Sequence, residues 1–472
     1  MTQSAQTTVS SLDRARLAAR AGSGARRELT AWVWLAVGAL AVAGVFAILL
    51  ALSRIPGMQK TPFWPIDFFY KGLVIHVIFS LVIWFTGVFA FLVSVATLRL
   101  AGGDVRAGPL GRIGQGAVLL AFPLLFAPAF LEGTQPELTN YIPLIRHPAY
   151  DLGLLALALG VLAPVVRLFI NLPGRLKSAA PLVVAMALGG FVYCVALVCF
   201  GTAAALLAHE GELASSRAEL LWGGGHVLQF VYAALMLTNW SILARLSFGE
   251  AAVDARVFRA CLLLVALLAI AAPAFYVIFP PFSDHQREAF RFLQFGISAP
   301  TLIFAVSLIA RARALSPPSA WPWANPAFFA LAASFALFAL GGAMGFLIDG
   351  SDTRTPAHYH AVITAVSVSS AGMLLTFGLK ELGKPEAPPR LTRLLLGLYG
   401  GGQFVASIAM FIAGGYGALR KLPAGAESLD AGAKAGMAVH GIASIFTIAG
   451  GALFVIVAVR ALWRRDDVRS AA

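Results

Sequence analysis

The sequence predicts an all-α integral membrane protein of twelve transmembrane helices, on three observations. The chain is 59% hydrophobic and only 12% charged over 472 residues, about half the charged fraction of an average soluble domain, and its mean hydropathy is +0.82. Apolar stretches long enough to cross a hydrocarbon layer of about 30 Å recur from end to end. The basic residues gather in alternate connections, the asymmetry that sets the orientation of a polytopic protein.

The first span, 32–53, follows a basic stretch, 1–30, that carries Arg14, Arg16, Arg20, Arg26 and Arg27. That stretch lacks a short apolar core with a cleavage site, so it reads as a cytoplasmic tail and not a removed signal peptide. Further spans are expected at 72–98, 112–131, 150–170, 179–208, 218–244, 260–280, 292–311, 322–348, 357–379, 394–416 and 435–460. Residues 31–463 then make one membrane domain, and 464–472 a second cytoplasmic tail. Arg99, Arg106 and Arg112 lie between spans two and three; Arg167, Arg175 and Lys177 between four and five; Arg245, Arg256 and Arg259 after six. Arg311 and Arg313 follow span eight; Lys380, Lys384, Arg390 and Arg393 follow ten; Arg460, Arg464, Arg465 and Arg469 close the chain. With the N-terminal five these are 24 of the 35 basic residues, which puts both termini in the cytoplasm. The net charge of +13 is accounted for by this asymmetry and by anionic lipid on the cytoplasmic leaflet; no nucleic acid is needed. Internal repeats and broken midplane helices, the marks of a transporter, are not found.

All eight histidines fall toward the outer side. His147, His209 and His285 lie in or beside outer loops, where a polar tip stays wet. His76 sits near the outer end of span two and His226 near that of span six; His358 and His360 open span ten and His440 enters span twelve. An imidazole inside hydrocarbon is costly and marks a ligand, a proton path or a paired partner. In Pro356-Ala357-His358-Tyr359-His360 the two rings stand about 200° apart around a helix, so one flat cofactor can sit on each flank. A six-coordinate haem takes two axial imidazoles and a five-coordinate haem takes one. His76 and His360 can form the pair, with His358 serving a second haem. His226 then holds a second metal or faces the open side of that haem. Haem propionates favour cations, and Arg420 and Lys421 supply two in the outer loop after span eleven. Cys194, Cys199 and Cys261 offer no CxxCH attachment, so two b-type haems are expected.

This arrangement resembles subunit I of the haem-copper oxidase superfamily, the respiratory terminal oxidases and nitric oxide reductases. The resemblance covers nearly the whole chain. His358 and His360 look like the family's His-x-His on helix ten, which implies that His358 binds the high-spin, reactive haem and His360 the low-spin one. His76 matches the other low-spin ligand on helix two. Gly225-His226 resembles the helix-six Gly-His, whose histidine binds copper. Tyr141-Ile142-Pro143-Leu144, with His147 and Asp151-Leu152, is similar to the stretch between helices three and four. Gly414-Gly415-Tyr416-Gly417 with Arg420-Lys421 resembles the doubly basic turn that meets the propionates.

The chain also departs from the family. Where full copper sites carry adjacent histidines near the outer end of helix seven, it reads Ala272-Pro273-Ala274-Phe275-Tyr276-Val277-Ile278. Phe275 and Tyr276 stand at the position of that pair, which makes Tyr276 a candidate catalytic residue beside His226 and His358. One histidine is a poor copper site, so the second metal, copper or iron, is absent, weakly held, or bound by His226 with groups such as Gln229; His285 is a further candidate ligand from a polar loop. Phe230 replaces the tyrosine that many oxidases cross-link to this histidine, no glutamate follows His226, and helix eight has no buried lysine. The Gly223-Gly224-Gly225 run either makes room for a macrocycle or packs helices tightly. The resemblance implies a respiratory-chain oxidoreductase of a bacterial-type inner membrane, reducing nitric oxide or dioxygen, and these departures, with almost no Asp, Glu or Lys in the inner halves of the spans, point to a non-pumping one. The alternative is a non-catalytic diheme protein that has lost its copper site. Either takes electrons from a separate subunit, a cytochrome or a quinol.

Overall fold

Twelve helices carry the chain across the molecule: α1 (Gly24–Leu52), α2 (Phe69–Ala101), α3 (Pro109–Phe130), α4 (Pro148–Asn171), α5 (Pro181–His209), α6 (Arg217–Phe248), α7 (Ala255–Ile278), α8 (Asp284–Leu315), α9 (Pro326–Gly345), α10 (Arg354–Glu381), α11 (Pro389–Gly415) and α12 (Ala431–Trp463). The computed structural model describes residues 23–53, 68–102, 104–139, 142–175, 179–348, 350, 352–420 and 429–464. Every expected span is present, in order.

Local chemistry sets the helix ends. Proline stands in the first turn of α3, α4, α5, α9 and α11, where its missing N–H costs nothing. Asp254, Ser283, Asn325 and Asp430 cap α7, α8, α9 and α12 by accepting from the first backbone N–H groups. Gly102, at φ 62°, ends α2 in the left-handed region that glycine tolerates best.

Several boundaries differ from expectation. α8 begins at Asp284 and not near 292, because its first residues are amphipathic: Gln286 and Phe290 are buried while His285 and Glu288 are exposed. Hydropathy averages such a segment away. α1 begins at Gly24 and takes in Arg26, Arg27 and Glu28, assigned above to the tail. Arg167, assigned to a loop, lies inside α4 at 1% exposure and forms a two-pronged pair with Glu28, its Nη1 donating to Oε2 at 2.8 Å. Gln115 of α3 donates to the Glu28 carbonyl at 2.6 Å, and Ser94 of α2 lies 3.4 Å from Arg167 Nη2. A charge within a helix bundle is tolerated only when paired in this way, and here the pair ties four helices together.

Between α3 and α4 the outer stretch forms a short antiparallel hairpin, β1 (Gln135–Glu137) and β2 (Leu144–Arg146), with Gln135 opposite Arg146. Tyr141 lies outside the described residues. α2, α6 and α10 are the innermost helices, 83%, 94% and 78% buried over an apolar stretch of 18 residues in each. They are also the helices that carry His76, His226, His358 and His360. In lipid, helices are held by close packing and by polar pairs worth about 0.6–2 kcal/mol each. Trp240 of α6 donates to Ser334 of α9 at 2.8 Å, and Ser334 donates to the Ala365 carbonyl of α10 at 2.8 Å. Asn239 of α6 donates to Ser370 of α10 at 3.0 Å.

Candidate haem and metal centre

His76 sits on α2 immediately before a π-helical turn, Ile78–Ile83, a widening common at functional sites. Its Nδ1 lies 2.9 Å from the Ala43 carbonyl of α1. A carbonyl only accepts, so Nδ1 carries the proton and Nε2 presents its lone pair. Gly87 lets α1 come this close, since a Cβ there would stand 3.1 Å from Ala36 Cβ. Between Gly72 and Trp84, the half-open positions are Leu73, His76, Val77, Ser80 and Leu81, set among fully buried neighbours. The imidazole therefore lies on an open stripe of an otherwise buried helix.

His358 repeats the pattern on α10, its Nδ1 donating to the Gly341 carbonyl of α9 at 2.6 Å. Gly345, one turn further along α9, lies against the ring: a Cβ there would stand 2.8 Å from Cε1 and 2.9 Å from Nδ1. His360 is half-buried and stacks on Tyr359 with centroids 5.2 Å apart at 25°. Residues 354–373 form an uninterrupted α-helix, so the two rings leave it on opposite sides. Thr364 and Ser367 follow His360 on one face, both hydrogen-bonded to the Tyr399 hydroxyl of α11.

His226 is buried on α6, its Nδ1 donating to the Trp222 carbonyl of its own helix at 2.6 Å. Its ring centroid lies 4.4 Å from Trp222 and 6.3 Å from Phe290. Tyr276 packs on Phe290 at 5.5 Å, and a Cβ on Gly223 would strike its hydroxyl. His226 and Tyr276 thus share one aromatic cluster, in which Gly223 admits the phenol. Gln229, next on the helix, is half-open. His285, considered above as a ligand from a loop, is exposed on the first turn of α8, and its neighbour Gln286 is the residue turned inward, donating to the Phe275 carbonyl at 3.2 Å. His147 caps α4, accepting from Ala149 N at 3.2 Å, and His440 is buried with Nδ1 donating to the Ala406 carbonyl of α11 at 3.2 Å.

At the outer mouth, Asp352 bridges to Leu419, which brings the start of α10 against the turn that holds Arg420. Arg420 is half-buried there; Lys421 lies outside the described residues. Arg354 was not singled out from the sequence. It stands one turn before His358 on the same face of α10, and its Nε donates to Asp352 Oδ2 at 2.8 Å. The i, i+4 spacing of Arg354 and His358 is the signal that would have found it.

The donor set fits haem: His76 and His358 each have the proton held on Nδ1 by a neighbouring helix, the outer-sphere bond that orients an imidazole toward iron, and Gly345 keeps the His358 ring in place. Copper fits poorly. Among the described residues no group of three His, Cys, Asp or Glu side chains is arranged to hold a metal ion, and His226 lies beside the rings of Trp222 and Phe290.

Twelve helices among the described residues, the three innermost carrying imidazoles near one end of the bundle, define a polytopic membrane protein. The sequence profile of the family described as cytochrome c and quinol oxidase polypeptide I matches residues 28–448, and the chain belongs to that family of oxidoreductases. A haem-copper terminal oxidase dimer solved by electron cryo-microscopy has the same fold, with a TM-score of 0.76 and 15% identity over 96% of this chain and 86% of that one. An uncharacterised protein of Aquifex aeolicus is 28% identical over 75% of this chain and 85% of its own length. One of Rickettsia prowazekii is 23% identical over 90% and 94%.

Proposed function

We propose that this chain is the haem-bearing subunit of a membrane oxidoreductase that reduces nitric oxide or dioxygen without pumping protons. In this reading His76 and His360 hold a low-spin b-type haem, and His358 holds the high-spin haem where the gas reacts. The observation that carries it is the shared bonding of His76 and His358, each with Nδ1 donating to a backbone carbonyl of a neighbouring helix, the tautomer that axial ligation requires. Bound haem supplies one-electron chemistry and a site for the gas. The protein positions and charges the site. Arg354 and Arg420, with Lys421 next in the chain, place positive charge at the outer mouth, where propionates favour it. Tyr276 and Phe290 pack against the helix that presents His226 and exclude water from that side.

The buried polar groups in the cytoplasmic halves of α2 and α6, among the described residues, are Thr86, Ser94, Thr97, Thr238, Asn239 and Ser241. None is an acid or a lysine, which supports a non-pumping role with protons taken from the outer side. There Glu219 pairs with Arg287 at 2.7 Å, at the outer end of the His226 helix. Electrons come from a separate subunit, a cytochrome or a quinol, in a bacterial-type inner membrane.

The aromatic cluster around His226 favours a second reading, a non-catalytic diheme protein that transfers electrons, binds a gas or assists assembly. Haem analysis and gas turnover of the purified chain separate the two. Two b-type haems per chain, with nitric oxide consumption lost in His358→Ala, are expected. One haem or none per chain refutes the assignment. Two haems with no turnover of either gas establish the second reading.

A further inference from the structure

At the end of the bundle opposite the histidines, which the basic connections place in the cytoplasm, a cleft of about 200 Å³ opens between α6, α8 and α9. Its walls include Phe248 of α6, Ile309 and Ala312 of α8, and Trp321, Trp323 and Phe328 around the start of α9; all twelve lining residues are apolar or aromatic. The walls are held in place. Trp321 donates its indole N–H to the Ser316 carbonyl at 3.1 Å, and Asn325 donates to the Leu246 carbonyl of α6 at 3.1 Å. Phe328 is the hub of the aromatic wall, 4.8 Å from Trp323, 5.7 Å from Trp321 and 5.5 Å from Phe248, each edge to face. The cleft opens sideways, because Leu302, Val306 and Ile309 form an exposed apolar stripe along α8 at helical spacing, and Arg313 is the next residue on that stripe. Arg313 is exposed and has no ion pair among the described residues, whereas Arg245 pairs with Glu250 and Arg311 lies 4.0 Å from Asp254. Trp323 is exposed at the same rim, and its indole N–H makes no hydrogen bond among the described residues.

We propose that this cleft seats one acyl chain of an anionic phospholipid of the cytoplasmic leaflet, with the phosphate against Arg313 and the Trp323 indole. The dimensions select a chain. Leu308 lies about 10 Å from the end of α8 at 1.5 Å per residue, within the roughly 15 Å of hydrocarbon in one leaflet. A neighbouring helix, about 10 Å across, is too wide to enter. A ring bearing carbonyl groups is disfavoured, because no polar side chain lines the cleft to meet them. Charge selects the headgroup. A guanidinium is the side chain best suited to phosphate oxygens, and an unpaired one favours a lipid without an ammonium of its own. Indoles settle at the headgroup level of a bilayer, and the cytoplasmic leaflet is where anionic lipid lies.

The test uses the full chain, delipidated in detergent and titrated with phosphatidylglycerol, phosphatidylethanolamine or a short-chain ubiquinone, with bound ligand counted by native mass spectrometry. One saturable phosphatidylglycerol per chain is expected, bound at least ten-fold more tightly than phosphatidylethanolamine. Ala332→Phe, which adds a ring to the cleft at a half-open position, should weaken both lipids at least ten-fold. Arg313→Gln should bring phosphatidylglycerol down to the level of phosphatidylethanolamine and leave the latter unchanged. Misfolding would move both lipids in both variants, so this split excludes it as the cause. Arg390→Gln, which removes an exposed cation at the start of α11, should bind as wild type. Undiminished binding in Ala332→Phe, equal affinity of the wild type for the two lipids, the same loss in Arg390→Gln as in Arg313→Gln, or displacement of the lipid by the quinone overturns the proposal.

Discussion

Replacing Gly345 by alanine is expected to loosen the proposed high-spin haem while leaving the helix bundle intact. Gly345 is the last residue of α9, where the roughly 1 kcal/mol advantage of alanine in a helix interior is not realised, so the helix itself is little affected. The added Cβ, however, would stand 2.8 Å from His358 Cε1, against an ordinary carbon contact of about 3.5–4.0 Å. The imidazole must retreat by roughly 0.7–1.2 Å to restore that contact. Its Nδ1 now lies 2.6 Å from the Gly341 carbonyl, and a shift of that size stretches the bond beyond the usual limit of about 3.2 Å. Loss of such an outer-sphere partner weakens metal ligation about 10–100-fold, or about 1.4–2.7 kcal/mol. The assay is haem titration of the apoprotein combined with carbon monoxide difference spectra of the reduced form. The carbon monoxide-reactive fraction should fall while the low-spin bands persist. Gly342→Ala is the matched control, because a Cβ there meets nothing within 4 Å. Wild-type carbon monoxide binding in Gly345→Ala would refute the seating of His358 described above.

Other outcomes follow from the same geometry. His76→Ala or His360→Ala should abolish the low-spin spectrum, since either leaves that iron five-coordinate, whereas His440→Ala, whose ring bonds Ala406 between α11 and α12, should leave the spectra unchanged. Arg167→Met strands Glu28 as a buried, unpaired charge and should cost about 3–5 kcal/mol, read as a lowered thermal midpoint in detergent; adding Glu28→Gln should recover most of it. Elemental analysis should find well under one copper per chain, and stoichiometric copper with fast four-electron oxygen uptake would restore the full oxidase reading.

The fold was legible because hydropathy in a membrane protein is a direct physical constraint, and twelve apolar runs became twelve helices. Boundaries were less so. The start of α8 is amphipathic, and the start of α1 is charged yet helical because Glu28 finds Arg167, a partner 139 residues away. The candidate ligands His76, His226, His358 and His360 could be picked out because imidazoles are conspicuous among apolar neighbours. What orients them could not: the partners are the carbonyls of Ala43, Trp222 and Gly341, and a backbone carbonyl leaves no mark on the sequence. Gly345 was equally hidden, since its role is the absence of a side chain beneath a ring on another helix. The π-turn at Ile78–Ile83 carries no compositional signature. Arg354 was readable from its spacing to His358 and was overlooked in favour of the more obvious Arg420-Lys421.

The difference between His226 and the other two imidazoles bears most on function. His76 and His358 are each held by a neighbouring helix, so their orientation is set by the bundle. His226 is held by Trp222 of its own helix and flanked by that residue's indole and by Phe290. The neighbours that resemblance would replace with further imidazoles are Phe275, which packs on Phe290 at 5.2 Å, and Tyr276, which packs on the same ring. Copper retention depends on several nitrogen donors converging on one point; the two positions that resemblance would give to imidazoles hold a phenyl and a phenol ring. Phe230 removes the redox phenol on the same helix, and Tyr276 supplies a phenol from a different one. A haem facing this cluster would meet one imidazole, one amide at Gln229 and aromatic walls, a pocket suited to holding a small apolar gas. Splitting dioxygen in one step calls on a second metal and a phenol in register with it. Nitric oxide, reduced with fewer electrons, makes the lesser demand, and our reading therefore places it ahead of dioxygen.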